Sequence, residues 1–330
     1  MFLVGDVGAT STRLASIATS DPTRTLRDLK IYSSQEAGSF QEILETYLKE
    51  LPKKTLEAAC FAVPGAVIQG KCQTTNLPWY LQTQSLTRIV SCPHLFLMND
   101  VEAHAWSILC PEQQQRTTIY QGSQAIGNYG LVAPGTGLGE AGILWDGERY
   151  QPFASEGGHA DFAPQNEQQW QLKTYLHKLW GHVSYERVLS GPGLVNLYTF
   201  CRDILGQEEE THLQVDKNAR LITQLAVEEK SSICAHAVRL FIEILAAEVG
   251  NCALRYLTHG GMFLAGGIPH KLLCKLQEPL FLHTYLDKGR FRPLLESISI
   301  TVIHNQSSAL QGAACYLQKQ LRGKTWQKER

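Results

Sequence analysis

The sequence predicts an α/β chain of two domains, each built on a sheet partly covered by helices. Three observations lead there. At 330 residues the chain is longer than one typical hydrophobic core organises. Strand-like apolar runs alternate with helix-like stretches along it. Glycine-rich turns close three of those apolar runs, at residues 5–10, 134–139 and 265–268.

The first turn opens the chain. Phe2, Leu3 and Val4 lead into Gly5-Asp6-Val7-Gly8-Ala9-Thr10, and apolar residues resume from Leu14. This pattern predicts a strand, a polar turn and a second strand. Such a turn aims backbone N–H groups and hydroxyls at one point, which suits a phosphate, with Asp6 placed to face a hydrated metal ion. On local sequence an ordinary hairpin fits equally well. A dinucleotide fingerprint would need GxGxxG opening a helix, and no GxxxxGK[ST] occurs anywhere. The design returns at Pro134-Gly135-Thr136-Gly137-Leu138-Gly139, and again at Ala265-Gly266-Gly267-Ile268.

Further strand-like runs fall at 58–63, 94–98, 130–133 and 262–265. Helix-like stretches fall at 39–51, 101–109, 167–180 and 231–256, the last predicting one long central helix of the second half. Residues 206–218 are the most polar and predict an exposed loop, while 324–330 are expected to fray.

The composition excludes several classes. A formal charge of -1, with no basic run, leaves no nucleic-acid footprint. No apolar stretch approaches the ~18 residues of a membrane span. The apolar run Phe2, Leu3 and Val4 enters a strand directly, so no secretory signal is expected. Nine scattered cysteines without a CxxC pair predict buried free thiols of a reducing cytoplasm.

Four segments carry candidate chemistry. Asn99 and Asp100 follow an apolar strand, where either caps the next helix or Asp100 faces a ligand at the strand's carboxyl end. Glu156-Gly157-Gly158-His159 offers a carboxylate and an imidazole around two glycines, suited to a polyol; a metal site with Asp161 is the rival. Glu186 either complements a helix dipole or accepts from a hydroxyl. Asn76 and Trp79 either line a sugar pocket or belong to a packed surface loop.

These segments, in this order, resemble the bacterial glucokinase family, the non-ROK branch of the sugar kinases with the actin-like ATPase (ribonuclease H-like) fold. The resemblance also draws on Thr75-Asn76-Leu77-Pro78-Trp79, on residues 156–164 (EGGHADFAP), on residues 186–194 (ERVLSGPGL) and on Asp287-Lys288-Gly289-Arg290-Phe291. It implies a small domain over 1–107 and 307–330, a large domain over 108–306, and a cleft between them. By the same implication Asp100 is the general base, and Asn76, Asn99, Glu156, His159 and Glu186 bind glucose. Gly5, Asp6, Val7, Gly8, Ala9, Thr10, Gly135, Thr136 and Gly137 would surround the phosphates of ATP, with Mg²⁺ met by Asp6 through water. Ala265, Gly266 and Gly267 would lie against the adenosine. The implied protein is a cytoplasmic homodimer making glucose 6-phosphate for glycolysis, with no nucleic-acid or membrane partner.

Three departures from the family pattern stand out. Gly8-Ala9-Thr10-Ser11 replaces the usual Gly-Gly-Thr-Asn or Gly-Gly-Thr-Lys, and a methyl at position 9 is strained if that residue needs φ > 0. Pro134 and Glu140 flank the second turn, where small residues are usual. Pro269 follows the third turn. The alternatives are a kinase for another hexose or phosphoryl donor, and a catalytically silent sugar-sensing regulator.

Overall fold

The computed structural model describes residues 1–21, 23–52, 55–110, 115–123, 125–206, 215, 218–304 and 307–328, without the side chains of 322–328. The predicted loop at 206–218 lies almost wholly outside them. The chain forms two units, Met1–Gln114 with Asn305–Arg330, and Gln115–His304.

The first unit holds β1 (Phe2–Val7), β2 (Ser11–Ile17), β3 (Arg27–Ser33), α1 (Phe40–Glu50), β4 (Ala58–Val63), β5 (Lys71–Gln73), β6 (Tyr80–Gln82), α2 (Thr83–Val90), β7 (His94–Asn99) and α3 (Asp100–Ile108). Its main sheet runs β3-β2-β1-β4-β7, antiparallel across the first three strands and parallel from β1 onward. β5 and β6 form a separate hairpin. Apolar side chains on alternate positions feed two cores. Leu3, Val7, Leu44 and Phe61 pack in one, and Phe2, Val4, Ala58 and Ala62 in the other.

The second unit holds β8 (Arg116–Tyr120), β9 (Tyr129–Pro134), β10 (Leu138–Trp145), β11 (Tyr150–Ser155), α4 (Glu167–Trp180), α5 (Gly191–Asp203), α6 (Ala219–Val227), α7 (Ser232–Tyr256), β12 (Gly261–Leu264), α8 (Gly267–Lys271), α9 (Leu273–Leu276), α10 (Pro279–Leu286), α11 (Arg292–Glu296) and β13 (Ile300–Ile303). Its sheet runs β11-β10-β9-β12-β13-β8. The first five strands repeat the order and senses of the first unit's sheet. α7 is the long helix the apolar periodicity predicts. It is buried on most of its surface and packs against α5, α6 and α10.

The last helix, α12 (Ser308–Lys328), belongs to the first unit and packs on α3. Gly312 permits the approach, since a methyl there would overlap the Ala103 carbonyl. The helix continues to Lys328, beyond the point where fraying is expected. The division between units falls after Gln114 instead of after Ser107. α3 runs on past Ser107, and Cys110 is bonded to α12.

That bond corrects the reading of the cysteines. Cys110 and Cys315 form a disulfide, their α-carbons 6.7 Å apart, because the close α3–α12 crossing brings them together. Cys274 is free but exposed, and the remaining six are free and buried. Unreduced, denatured protein is therefore expected to titrate seven thiols, rising to nine after reduction. Nine without reductant would exclude the bond. Opening a cross-link that spans 205 residues should lower stability by about 2–4 kcal/mol, read from the denaturant midpoint.

Candidate functional site

Within the first unit, chemistry gathers at the carboxyl ends of β1, β4 and β7. The turn after β1 is closed by the Gly8 amide donating to Ser11 O at 3.0 Å. Ala9 is not among the residues with positive φ, so the anticipated strain is absent and the methyl sits on ordinary backbone. Gly5 and Val7 are buried in the strand, and only their backbone is available to a nucleotide. Thr10 is exposed.

Asp6 stands opposite Arg13 on β2, whose guanidinium donates to Asp6 Oδ2 at 3.3 Å. Burial raises the Asp6 carboxyl above its ordinary range, opposed by His104 and Arg13. His104 is itself pushed down by burial, and its Nδ1 meets Ser308 Oγ at 2.8 Å. A carboxylate is a hard oxygen donor that can hold a hydrated Mg²⁺ through water while one oxygen serves Arg13, so the donor set fits that ion.

At the end of β7 the structure separates two roles that the sequence leaves together. Asn99 is the helix cap: its Oδ1 accepts from the amides of Val101 and Glu102 at 2.9 and 3.2 Å, and its Nδ2 donates to Gly65 O at 3.1 Å. Asp100 is the first helical residue, and its Oδ1 accepts from the Val101 amide at 2.9 Å. The helix N-terminus favours its negative charge. Asn76 lies exposed on the β5–β6 loop, whereas Trp79 is a core residue. The loop's own hydrogen bonds, Thr74 to Leu77 O and Trp79 O, turn that indole inward.

In the second unit three sequence motifs meet one glycine turn or its flanking residues. Gly135, Thr136 and Gly137 link β9 to β10, and the Gly135 amide donates to Gly137 O at 2.8 Å. The Leu138 amide donates to Glu186 Oε2 at 2.9 Å, and Gly191 N donates to Gly135 O at 2.8 Å. Glu186, in a 3-10 turn at Tyr185–Arg187, thus braces the glycine loop with one carboxylate oxygen. Gly266, at φ +86°, lies against Pro134, where a methyl would collide with the proline carbonyl. Ala265 N donates to Val132 O at 3.1 Å, which seats this third turn beside the second.

Glu156 caps the 3-10 turn Gly157–His159, and both Glu156 and His159 are exposed. A methyl on Gly157 would overlap Glu140 Oε2, and one on Gly158 would overlap Leu138 O. The two glycines therefore let this loop rest directly on the start of β10. Asp161 turns away to His182 Nε2 at 2.7 Å, which dismantles the proposed metal trio with Glu156 and His159. The group of potential metal ligands found among the described residues is instead Glu140, Glu248 and Cys252, and Arg255 is already bonded there to both carboxylates. The sequence offered one signal for it, an acidic residue directly after a glycine turn.

Replacing Ala9 by Gly is expected to leave the KM for ATP unchanged, since no strain is released. It should cost about 0.4–1 kcal/mol of stability through a more flexible unfolded chain. A lowered ATP KM would show that the methyl does obstruct the turn.

The family model described as Glucokinase matches residues 3–320. The glucokinase of Nostoc punctiforme is 37% identical over 339 residues, covering 95% of this chain and 98% of its own. A solved glucokinase from an Antarctic psychrotroph is similar with a TM-score of 0.82 at 29% identity, covering 96% of this chain and 98% of that one. The glucokinase of Balamuthia mandrillaris, solved in complex with glucose, shares the fold with a TM-score of 0.82 at 20% identity, covering 96% and 93%. No described helix is long and apolar enough to cross a membrane.

Proposed function

The chain belongs to the glucokinase family, and from that membership we propose which of its groups perform the reaction. The activity is transfer of the γ-phosphoryl group of ATP to the primary hydroxyl of glucose, on an actin-like ATPase fold. Phosphoryl transfer asks mainly for positioning and charge neutralisation. The amides of Gly8 and Gly135 close their turns, which leaves those of Ala9, Thr10, Thr136 and Gly137 to meet the phosphates, and Ala265–Gly267 lies along the adenosine. Mg²⁺ offsets phosphate charge when bound, and Asp6 would hold it through water.

Glu156, His159 and the second oxygen of Glu186 accept from and donate to glucose hydroxyls, with Asn76 and Asn99 contributing from the first unit. A sugar lacking the matching hydroxyl would leave these groups unpaired once it covers them, which disfavours it. Asp100 orients the primary hydroxyl and takes its proton as the phosphoryl group arrives. The assignment is carried by one observation: the strand ends flanking the Gly135–Gly137 turn are tied to Glu186 through the Leu138 amide and lie against Gly157 and Gly158 at Glu140 and Leu138 and against Gly266 at Pro134. One turn thereby brings a phosphate-type loop and a polyol-type loop together.

The reaction draws on ATP, which is the support for a cytoplasmic location. Trp170, Leu179 and Trp180 stand exposed on α4 and support a homodimer. Sedimentation is expected to give twice the chain mass, and a monomer at micromolar concentration would refute it.

A coupled assay should show turnover with glucose and ATP. Turnover with mannose, fructose or N-acetylglucosamine but not glucose would overturn the substrate. Asp100→Asn should fold and bind glucose, because Asn99 supplies the cap. Its chemical step should slow by ~10²–10⁴-fold. A variant that binds glucose by tryptophan fluorescence and turns over within a few-fold of the parent would remove Asp100 from the base role.

A further inference from the structure

Away from the groups proposed for phosphoryl transfer, the second unit brings together two histidines that lie 34 residues apart in sequence. His304 directly follows β13, and its backbone amide donates to Gln115 O at 2.9 Å, just ahead of β8. Thr117, on β8 opposite Val302, meets Nε2 of His304 at 2.7 Å through its hydroxyl. His270 reaches over from α8, where the buried Pro269 precedes it, and its Nδ1 lies 2.8 Å from Nδ1 of His304. The ring planes cross at 73° with centroids 5.0 Å apart, so the rings meet through their nitrogens and not through their faces.

Two N–H groups cannot face each other at 2.8 Å, so one of these nitrogens presents a lone pair. Thr117 Oγ1 can accept the proton of His304 Nε2, which leaves Nδ1 of His304 bare and aimed at His270. Imidazoles that bind metals are held in this way, with the far ring N–H donated to a fixed acceptor. His270 is exposed, so its Nε2 can carry the ring proton in contact with water and free its own Nδ1. Two imidazoles on one ion, each about 2.0–2.1 Å from it, hold their nitrogens about 3 Å apart, close to the spacing already present. Unlike His182, which is tied to Asp161, neither ring pairs with a carboxylate among the described residues. The donor set also selects the ion. Neutral imidazole suits Zn²⁺, Ni²⁺ and Cu²⁺, whereas Mg²⁺ takes oxygen donors, so the pair does not compete for the hydrated ion that Asp6 would hold.

We propose that His270 and His304 form a two-histidine site for a divalent transition cation of the Ni²⁺, Cu²⁺ or Zn²⁺ kind, with water completing the coordination. The ion takes the place of the proton between the two Nδ1 atoms. That proton passes to Nε2 of His270, so both rings stay neutral, and the exposed His270 side chain swings to meet the ion on the His304 lone pair. A bound cation thereby joins α8 to the end of β13 and, through Thr117, to β8. The site does not depend on the assignment of Glu156, His159 and Glu186 to glucose.

Nickel is the probe, because it brings no redox chemistry to the exposed Cys274 thiol. Ni²⁺ is titrated calorimetrically into the full chain in excess Mg²⁺, which occupies oxygen-donor sites. One equivalent should bind, and a chelator should remove it. His270→Gln and His304→Gln should each abolish that binding, and Thr117→Val should weaken it about tenfold or more. His182→Gln, which alters the other exposed histidine contact, should leave the affinity unchanged. Because His270 is exposed, His270→Gln should melt with the parent, which separates loss of the site from loss of the fold. Absence of saturable binding overturns the proposal. So does parental affinity in either His270→Gln or His304→Gln, which would put the ion on other donors such as Glu140, Glu248 and Cys252.

Discussion

The hydrogen bond from the Leu138 amide to the Glu186 carboxylate is the contact on which the second unit's arrangement turns. It fixes the start of β10 to the segment that begins α5, and Gly191 N completes the tie by donating to Gly135 O. With those ends joined, the Gly135–Gly137 turn has little freedom, and its amides are preorganised before any ligand arrives. Preorganised dipoles need no reorientation as charge develops during transfer, which is where such a turn gains its effect. The same carboxylate keeps one oxygen for another partner.

The two sheets explain why the chemistry sits at turns instead of on strands. In each unit the strand that opens the antiparallel hairpin, β1 or β9, also begins the parallel set. The hairpin turn and the ends of the parallel strands therefore share one sheet edge. In the first unit this collects Asp6, the Gly8–Thr10 turn and Asp100; in the second it collects the Gly135–Gly137 turn and Ala265–Gly267. Ligands meet α/β sheets at the carboxyl ends of their strands for this reason.

Much of this was legible in the sequence, and the exceptions have physical causes. Apolar periodicity located α4 at its observed limits and α7 to within a residue. The glycine turns stood out because each ends an apolar run. β3 gave no signal, since its seven residues form an edge strand with exposed Leu29 and Ile31 and no buried face. Trp79 stayed open between a sugar contact and a packed loop, because a Pro-Trp loop is the same string whether its indole points in or out. The Cys110–Cys315 bond joins residues 205 apart, and only the α3–α12 crossing at Gly312 reveals it. Asn99 and Asp100 were interchangeable as a string, and helix geometry decided between them.

Two carboxylates of similar intrinsic acidity occupy opposite environments in this chain, and the difference assigns their work. Asp100 lies at the N-terminus of α3, where the Val101 amide donates to it and the helix dipole favours a negative charge. Glu140 lies beneath a loop, fully buried beside a second carboxylate and near the Arg255 guanidinium, and burial raises its carboxyl above the ordinary range. The family resemblance concerned the loops themselves; Glu140 enters as a departure from it. Its placement under Gly157 turns that departure into part of the loop's packing, since a methyl on Gly157 would overlap Glu140 Oε2.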